Sequence, residues 1–273
     1  GLAPAAVRCL PAVAYFHENQ LTYPCRAEDE RDYHFVLSNM HTALAAESVW
    51  FNSGFHRDAF LNGLPVFLRK MPDHNSPVPV EIIREKSCVQ YPGVDLPERE
   101  PPRPGRPLSI LWAARWEHDK NPDDFFSALK RLRKADIPFR LHVAGERFRE
   151  APAVFERARH FFSDCIDHWG YAESRAAYQN LLSRSDIIVS TAHHEFFGIS
   201  VVEAAACGVI PVLPRRLSYP ELFGAEEGFF YDGTAAGLAK KLGRLCTEEN
   251  PEPLRRKARK IAEKFLWQER ARQ

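Results

Sequence analysis

Short apolar runs alternate along this chain with stretches of helical periodicity. Residues 11–16 (PAVAYF) are apolar and give way at once to His17, Glu18, Asn19 and Gln20, which reads as a buried strand opening into a loop. Residues 32–46 have helical periodicity, with Phe35, Leu37, Leu44 and Ala45 apolar, and residues 48–51 (SVWF) form a second strand. Ser53 follows as a natural helix N-cap, because its hydroxyl can accept an orphan amide of the first turn. Residues 89–91 predict a third strand.

The pattern then breaks. Residues 96–107 (LPEREPPRPGRP) are rich in proline and charge and have no apolar period, so they predict a linker between a domain at 1–95 and another at 108–273. Beyond it the alternation is regular. Strands are expected at 108–113, 140–144, 187–190 and 209–213, with helices at 122–133, 152–162, 173–184 and 199–206 and further helices from residue 234 onward. Asn121 supplies an N-cap and Pro122 the first helical position of the helix it precedes. Alternating strands and helices of this length argue an α/β class, a parallel sheet covered by helices on both faces. A doubly wound domain opens with a strand, a tight glycine turn and a helix. The first 95 residues have no such turn, so the N-terminal domain is expected to lack its opening elements.

Bulk properties narrow the function classes. The 273 residues, 45% hydrophobic and 27% charged, suit two ordinary globular domains. A net charge of +1 excludes a global field that would draw the protein to nucleic acid or a membrane surface. The longest basic run, Arg255, Arg256, Lys257, Arg259 and Lys260, reads as the solvated face of a helix. Cys9, Cys25, Cys88, Cys165, Cys207 and Cys246 are scattered without a C-x-x-C pair, which suits a reducing compartment. No apolar run is long enough to span a bilayer, and the start lacks the pattern of a secretion signal. A cytoplasmic protein with no membrane partner is expected.

The strongest chemical signal is the segment from His194 to Ala204, HEFFGISVVEA. It sets Glu195 and Glu203 on either side of a loop-to-helix transition, directly after an apolar strand. Gly198 permits close backbone approach. The amides of Phe197, Gly198, Ile199 and Ser200 would form a helix N-terminus, whose free N–H groups and positive dipole end suit a diphosphate. About 9 Å of helix, at 1.5 Å per residue, separates Phe197 from Glu203. That spacing allows one carboxylate at each end of a nucleotide sugar. Two glutamates on a helix are common in any protein; the preceding strand, the glycine and the small residues Ala204 to Gly208 are what set this pair apart.

Arg115 and Lys120 lie in the loop after the first strand of the second domain, where open α/β sheets hold ligands, and could neutralise a leaving diphosphate. His17 ends the strand 11–16 and is the candidate from the first domain. His193, His194 and Glu195 are adjacent on one loop and the H-E-x-x-H pattern is absent, so no metal site is assigned.

These residues resemble the donor domain of retaining GT-B glycosyltransferases of the family 4 type. The blocks YFHENQLTYP, VWFNSGFHRDAFL, ILWAARWEHDKNPDDFF, HWGY and STAHHEFFGISVVEA resemble the tRNA-queuosine α-mannosyltransferase family and its bacterial relatives, from Pro11 to Phe223. The resemblance implies two Rossmann-like domains with parallel sheets facing a cleft. It implies that Arg115 and Lys120 hold the donor diphosphate, that Glu195 binds sugar hydroxyls and Glu203 the ribose, and that His17 lies near the donor sugar. It further implies GDP-mannose as donor, queuosine in a tRNA anticodon as acceptor, and no metal or other cofactor. The resemblance, and no pattern of residues, carries the guanine, the mannose and the tRNA. Two other readings stay open at this point. One is a GT-B enzyme acting on a lipid, glycan or small-molecule acceptor; the other is a sugar-nucleotide-binding module without turnover.

Overall fold

The structure is a computed structural model that describes residues 10–22, 33–71, 76–95, 107–147, 151–224, 226–248 and 251–271. The expected linker, apart from Pro107, lies outside the described residues, as do Cys9, Cys25, Asp32 and the start of the chain. The chain divides into two compact units, Gly1–Tyr91 and Pro92–Gln273.

The first unit is built on three parallel strands, β1 (Val13–Phe16), β2 (Ser48–Phe51) and β3 (Ser87–Val89), in the order β1-β2-β3. Helix α1 (Tyr33–Ala45) crosses from β1 to β2, and α2 (Gly54–Leu68) and α3 (Val78–Glu85) connect β2 to β3. Ser53 caps α2 as its side chain predicts, accepting the His56 amide at 3.0 Å. Phe16, Phe51, Phe60, Leu64 and Ile83 are the buried core of this unit. Helix α3 has no counterpart among the expected elements; Pro77 precedes it and Pro79 falls in its first turn. Both stand at the entry of the helix, where proline is tolerated, and Val80 and Ile83 bury one face three residues apart. Strand β3 begins two residues earlier than expected, since polar Ser87 pairs with Val49.

The second unit carries six parallel strands: β4 (Ser109–Ala113), β5 (Arg140–Ala144), β6 (Ile166–Gly170), β7 (Ile187–Val189), β8 (Ile210–Pro214) and β9 (Phe230–Tyr231). Their order is β6-β5-β4-β7-β8-β9. The connecting helices are α4 (Pro122–Lys134), α5 (Val154–Phe161), α6 (Arg175–Arg184), α7 (Ile199–Ala206) and α8 (Tyr219–Phe223), followed by α9 (Ala235–Thr247), α10 (Glu252–Glu263) and α11 (Trp267–Arg270). Asn121 caps α4 from a left-handed conformation at φ 50°. Strand β6 went unpredicted: it is an edge strand with a polar sequence and a register shift against β5, so it lacks the continuous apolar run of an inner strand. Two-residue β9 is too short to show a period.

One basic residue corrects the expected solvated face on the C-terminal helix. Arg255 is 4% exposed and donates to Asp186 at 2.8 Å. A helix packed against the sheet turns one of its positions inward, and the charge there is matched by a buried carboxylate. At the other end of α10 the chain returns to residues 92–95: the Val94 amide donates to Phe265 and the Trp267 amide to Val94. Gly93 is required there, since a Cβ would stand 2.3 Å from the Trp267 indole.

Candidate functional site

Strand order locates the site. In the second unit, β4 pairs with β5 on one side and β7 on the other, so the connections after β4 and β7 diverge to opposite halves of the sheet. This switch point is where open α/β sheets bind ligands, at the carboxyl ends of the strands. The loops after β4 and β7 carry Arg115, Lys120 and Glu195.

The loop after β4 is held from below by aromatic packing. Trp116 stacks on Phe155 with ring centroids 4.3 Å apart, and its amide donates to Glu146 at 3.0 Å. A single 3-10 turn (His118–Lys120) follows, ended by left-handed Asn121. Two bonds zip this turn to the loop after β7: the Thr191 hydroxyl donates to the Lys120 carbonyl at 2.8 Å and the His193 amide to the Asp119 carbonyl at 2.7 Å. Lys120 is therefore buried, 7% exposed, with its ammonium aimed across the junction. It donates to the His194 carbonyl at 2.8 Å and lies 3.1 Å from Asp119 Oδ2 and 3.6 Å from Glu195 Oε2. Burial disfavours the charge, yet Glu195 and Asp119 outweigh it and hold the Lys120 ammonium above its ordinary pKa. The lysine is a fixed cation. Arg115 lies near enough to oppose that charge, and its own side chain is 40% exposed and paired with Glu117 at 3.4 Å.

Glu195 is held at both oxygens. Oε1 accepts the Phe196 amide at 3.1 Å and the Phe197 amide at 3.4 Å, while Oε2 faces Lys120. Gly198 then turns the chain into α7 at φ 81°. A Cβ at this position would meet Tyr219 Cε1 at 2.9 Å and Glu195 Cγ at 3.6 Å, so both conformation and space demand glycine. No side chain caps α7, and Ile199 at its first position is half exposed. Ser200 ties the helix start to the end of β4 by donating to Ala113 at 3.0 Å. Beneath, Tyr219 donates to Ser190 Oγ at 2.7 Å and Tyr231 to the Ser190 carbonyl at 3.1 Å.

Glu203 lies one turn further along α7, 5% exposed. Its Oε1 accepts from Arg175 at 2.8 Å and its Oε2 from the Tyr178 hydroxyl at 3.0 Å. Arg175 also donates to Asp95 at 3.1 Å. The structure thus brings Lys120, Glu195, Phe197, Gly198 and Ile199 together and sets Glu203 on the same helix. Asp119, Arg175, Tyr178 and Tyr219 were missed by sequence reasoning: Asp119 stands beside Lys120 inside its motif but was given no role, and the other three lie outside the motif that each supports. His17 belongs to the first unit, where its carbonyl accepts from Asn52 at 2.9 Å and its ring lies 4.5 Å from that of Tyr15. Among the described residues no cluster of three or more His, Cys, Asp or Glu could hold a metal ion. None of their helices is long and apolar enough to cross a membrane. A groove of about 600 Å³ between β6 and α6, lined in part by His142, Trp169, Tyr171, Leu181 and Arg184, contains none of the expected site residues.

The family model of the tRNA-queuosine alpha-mannosyltransferase N-terminal region matches residues 1–94, and that of glycosyl transferases group 1 matches residues 97–265. The chain belongs to the group 1 glycosyltransferase family. Within that family it is similar to the tRNA-queuosine alpha-mannosyltransferase of Drosophila melanogaster, 36% identical over 258 residues, covering 90% of this chain and 67% of the relative. It is also 30% identical over 247 residues to a GDP-mannose-dependent alpha-(1-6)-phosphatidylinositol dimannoside mannosyltransferase of Mycobacterium tuberculosis, covering 86% of this chain and 58% of that one. The chain thus spans about three fifths to two thirds of the length of these relatives.

Among solved structures, sucrose-phosphate synthase from Thermosynechococcus elongatus superposes with a TM-score of 0.70 at 18% identity, covering 95% of this chain and 65% of that one. An Anabaena protein, HepE, in complex with UDP and glucose superposes with a TM-score of 0.68 at 18% identity, covering 94% and 67%. The two parallel-sheet α/β units of this group 1 glycosyltransferase are those of the GT-B fold.

Proposed function

We propose that this protein is a retaining glycosyltransferase that moves mannose from GDP-mannose to queuosine in a tRNA anticodon. The observation that carries the transferase reading is the fixed Lys120 cation beside Glu195 at the uncapped, glycine-entered start of α7. In this reading the donor diphosphate lies against the first amides of α7. These amides, Lys120 and Arg115 stabilise the negative charge that grows on the diphosphate as the glycosidic bond breaks. Glu195 accepts hydrogen bonds from sugar hydroxyls, and Glu203 accepts from the ribose. The acceptor hydroxyl attacks on the face from which the diphosphate leaves and passes its proton to the departing diphosphate oxygen, so configuration is retained without a covalent enzyme intermediate. His17 is assigned beside the donor sugar from resemblance to the family. The mannosyl group and the queuosine acceptor rest on similarity to the tRNA-queuosine alpha-mannosyltransferase model and the fly relative, and GDP-mannose as donor on similarity to the mycobacterial relative and on the family resemblance. No divalent ion enters this reading, and transfer is expected to survive EDTA.

The test is a thermal-shift titration with GDP, UDP, ADP, GDP-mannose and UDP-glucose, followed by transfer to queuosine-containing tRNA. A ligand that binds the native state raises the melting temperature by mass action, so a selective rise with GDP and GDP-mannose is expected. A selective rise with UDP would discard GDP-mannose as the donor. No transfer to queuosine tRNA from a bound donor would discard the acceptor.

A further inference from the structure

Glu203 is an anion on an otherwise apolar, small-residue helix, flanked by buried Val202 and Ala204. Such a side chain needs its charge matched and its geometry held. Both are supplied by α6, a helix from a different crossover. The Arg175 guanidinium lies 2.8 Å from Oε1 and the Tyr178 hydroxyl 3.0 Å from Oε2, one partner for each oxygen. Burial, then the Glu203 charge, pushes the Tyr178 phenol well above its ordinary pKa, so it remains a donor at all working pH values. Arg175 is shared with Asp95 through the same Nη2, at 3.1 Å, so one guanidinium bridges two carboxylates. Each carboxylate oxygen has two lone-pair directions, and one bond to each leaves the other direction free.

Building on the assignment of Glu203 to the donor ribose, we infer that Arg175 and Tyr178 are positioning residues that aim the Glu203 carboxylate at the ribose diol. They set the discrimination of ribose from deoxyribose without touching the reacting atoms. Tyr178 fixes the rotation of the carboxylate through Oε2. Arg175 holds the other oxygen, Oε1, and pulls it toward the N-terminus of α6. Neither residue is required to bind the diphosphate, which in that reading lies one turn away, at the start of α7.

The experiment compares the dissociation constants of GDP, 2′-deoxy-GDP and 3′-deoxy-GDP, and of the three UDP counterparts, by calorimetry. It is run on the full chain and on Glu203→Gln, Tyr178→Phe, Arg175→Gln and Arg175→Lys. The wild type is expected to bind the ribonucleotide on the order of tenfold more tightly than its deoxy analogue, the effect of one hydrogen bond to a charged group. Tyr178→Phe and Arg175→Gln should lower that ratio to about threefold or less, with ribonucleotide affinity reduced and deoxynucleotide affinity nearly unchanged. Arg175→Lys, which keeps the charge, should recover part of the ratio. Tyr178→Phe keeps the ring and its packing, so the comparison remains available if Arg175→Gln fails to fold. An undiminished ratio in Tyr178→Phe and in whichever Arg175 variants fold would overturn the positioning role while leaving Glu203 on the ribose. A wild type indifferent to the deoxy change, or one that binds neither nucleotide, would instead overturn the ribose assignment and this inference with it.

Discussion

Two clusters of buried charge stand at opposite ends of the same six-stranded sheet. At the amino end, Asp186 precedes β7. Its Oδ1 accepts from Arg255 at 2.8 Å and its Oδ2 from the Ser109 amide at 2.9 Å, with both charged side chains only 4% exposed. This pair fastens α10 to the starts of β4 and β7 and presents nothing to solvent. At the carboxyl end, Lys120 meets Asp119 and Glu195, and the Glu195 side chain is 28% exposed. The chemistry of the two clusters is similar, a buried cation paired with carboxylate and backbone groups, with one carboxylate in the closed cluster and two in the open one. Access separates them: one is closed on every side by packed elements, while the other opens onto a helix start that no side chain caps. A buried ion pair closed to water is a structural staple. One that keeps a side open can exchange a partner for a ligand.

Breaking the open cluster should give the largest effect. Lys120→Ala and Glu195→Ala are each expected to lower transfer by about 100- to 1000-fold, the scale for losing one preorganised charge-stabilising group, with the circular-dichroism spectrum retained. Wild-type rates in either variant would remove these residues from the chemistry. Breaking the closed cluster should do the converse. Arg255→Ala leaves a buried, uncompensated Asp186 and is expected to cost about 3–5 kcal/mol of stability, read as a fall in denaturation midpoint. A smaller effect is expected beneath the open site. Tyr219→Phe loses the bond to Ser190 and should cost about 1 kcal/mol by the same measurement.

The smallest expected effect is a flat pH response. A lysine whose folded pKa is raised contributes stability that is present below its unfolded pKa and is lost as pH rises through the folded one. The Lys120 ammonium is raised above 10.5, so its charge persists past that pH. The melting shift produced by GDP should therefore not decline between about pH 7 and pH 9, since the unperturbed lysine already titrates near 10.4. A decline through that window on wild-type protein, absent in Lys120→Arg, would show that the lysine is not a fixed cation.

Several elements could be read from residues close together in the chain. Ser53 and Asn121 announced their helices because a cap acts over three residues, and α7 carries the bounds 199–206 that its small apolar residues and preceding glycine suggest. Strand β6 could not be read so, because an edge strand pairs on one side only and needs no continuous apolar run. The partners of Glu203 were equally hidden: Arg175 and Tyr178 lie 28 and 25 residues before it. Arg255 looked like its solvated neighbours Arg256 and Lys257 until the packing of α10 turned it toward Asp186, 69 residues earlier.

Sequence by itself determined the alternation of strands and helices, the caps, and the motif in which Glu195, Gly198 and Glu203 stand at fixed intervals. Periodicity, capping and turn conformation depend on residues within one or two helical turns of each other. Tertiary structure alone decided the strand order that sets the loops after β4 and β7 side by side, and with it the meeting of Lys120 and Glu195 across 75 residues of chain. It also decided which buried charge is closed and which is open, because that depends on what packs over each end of the sheet.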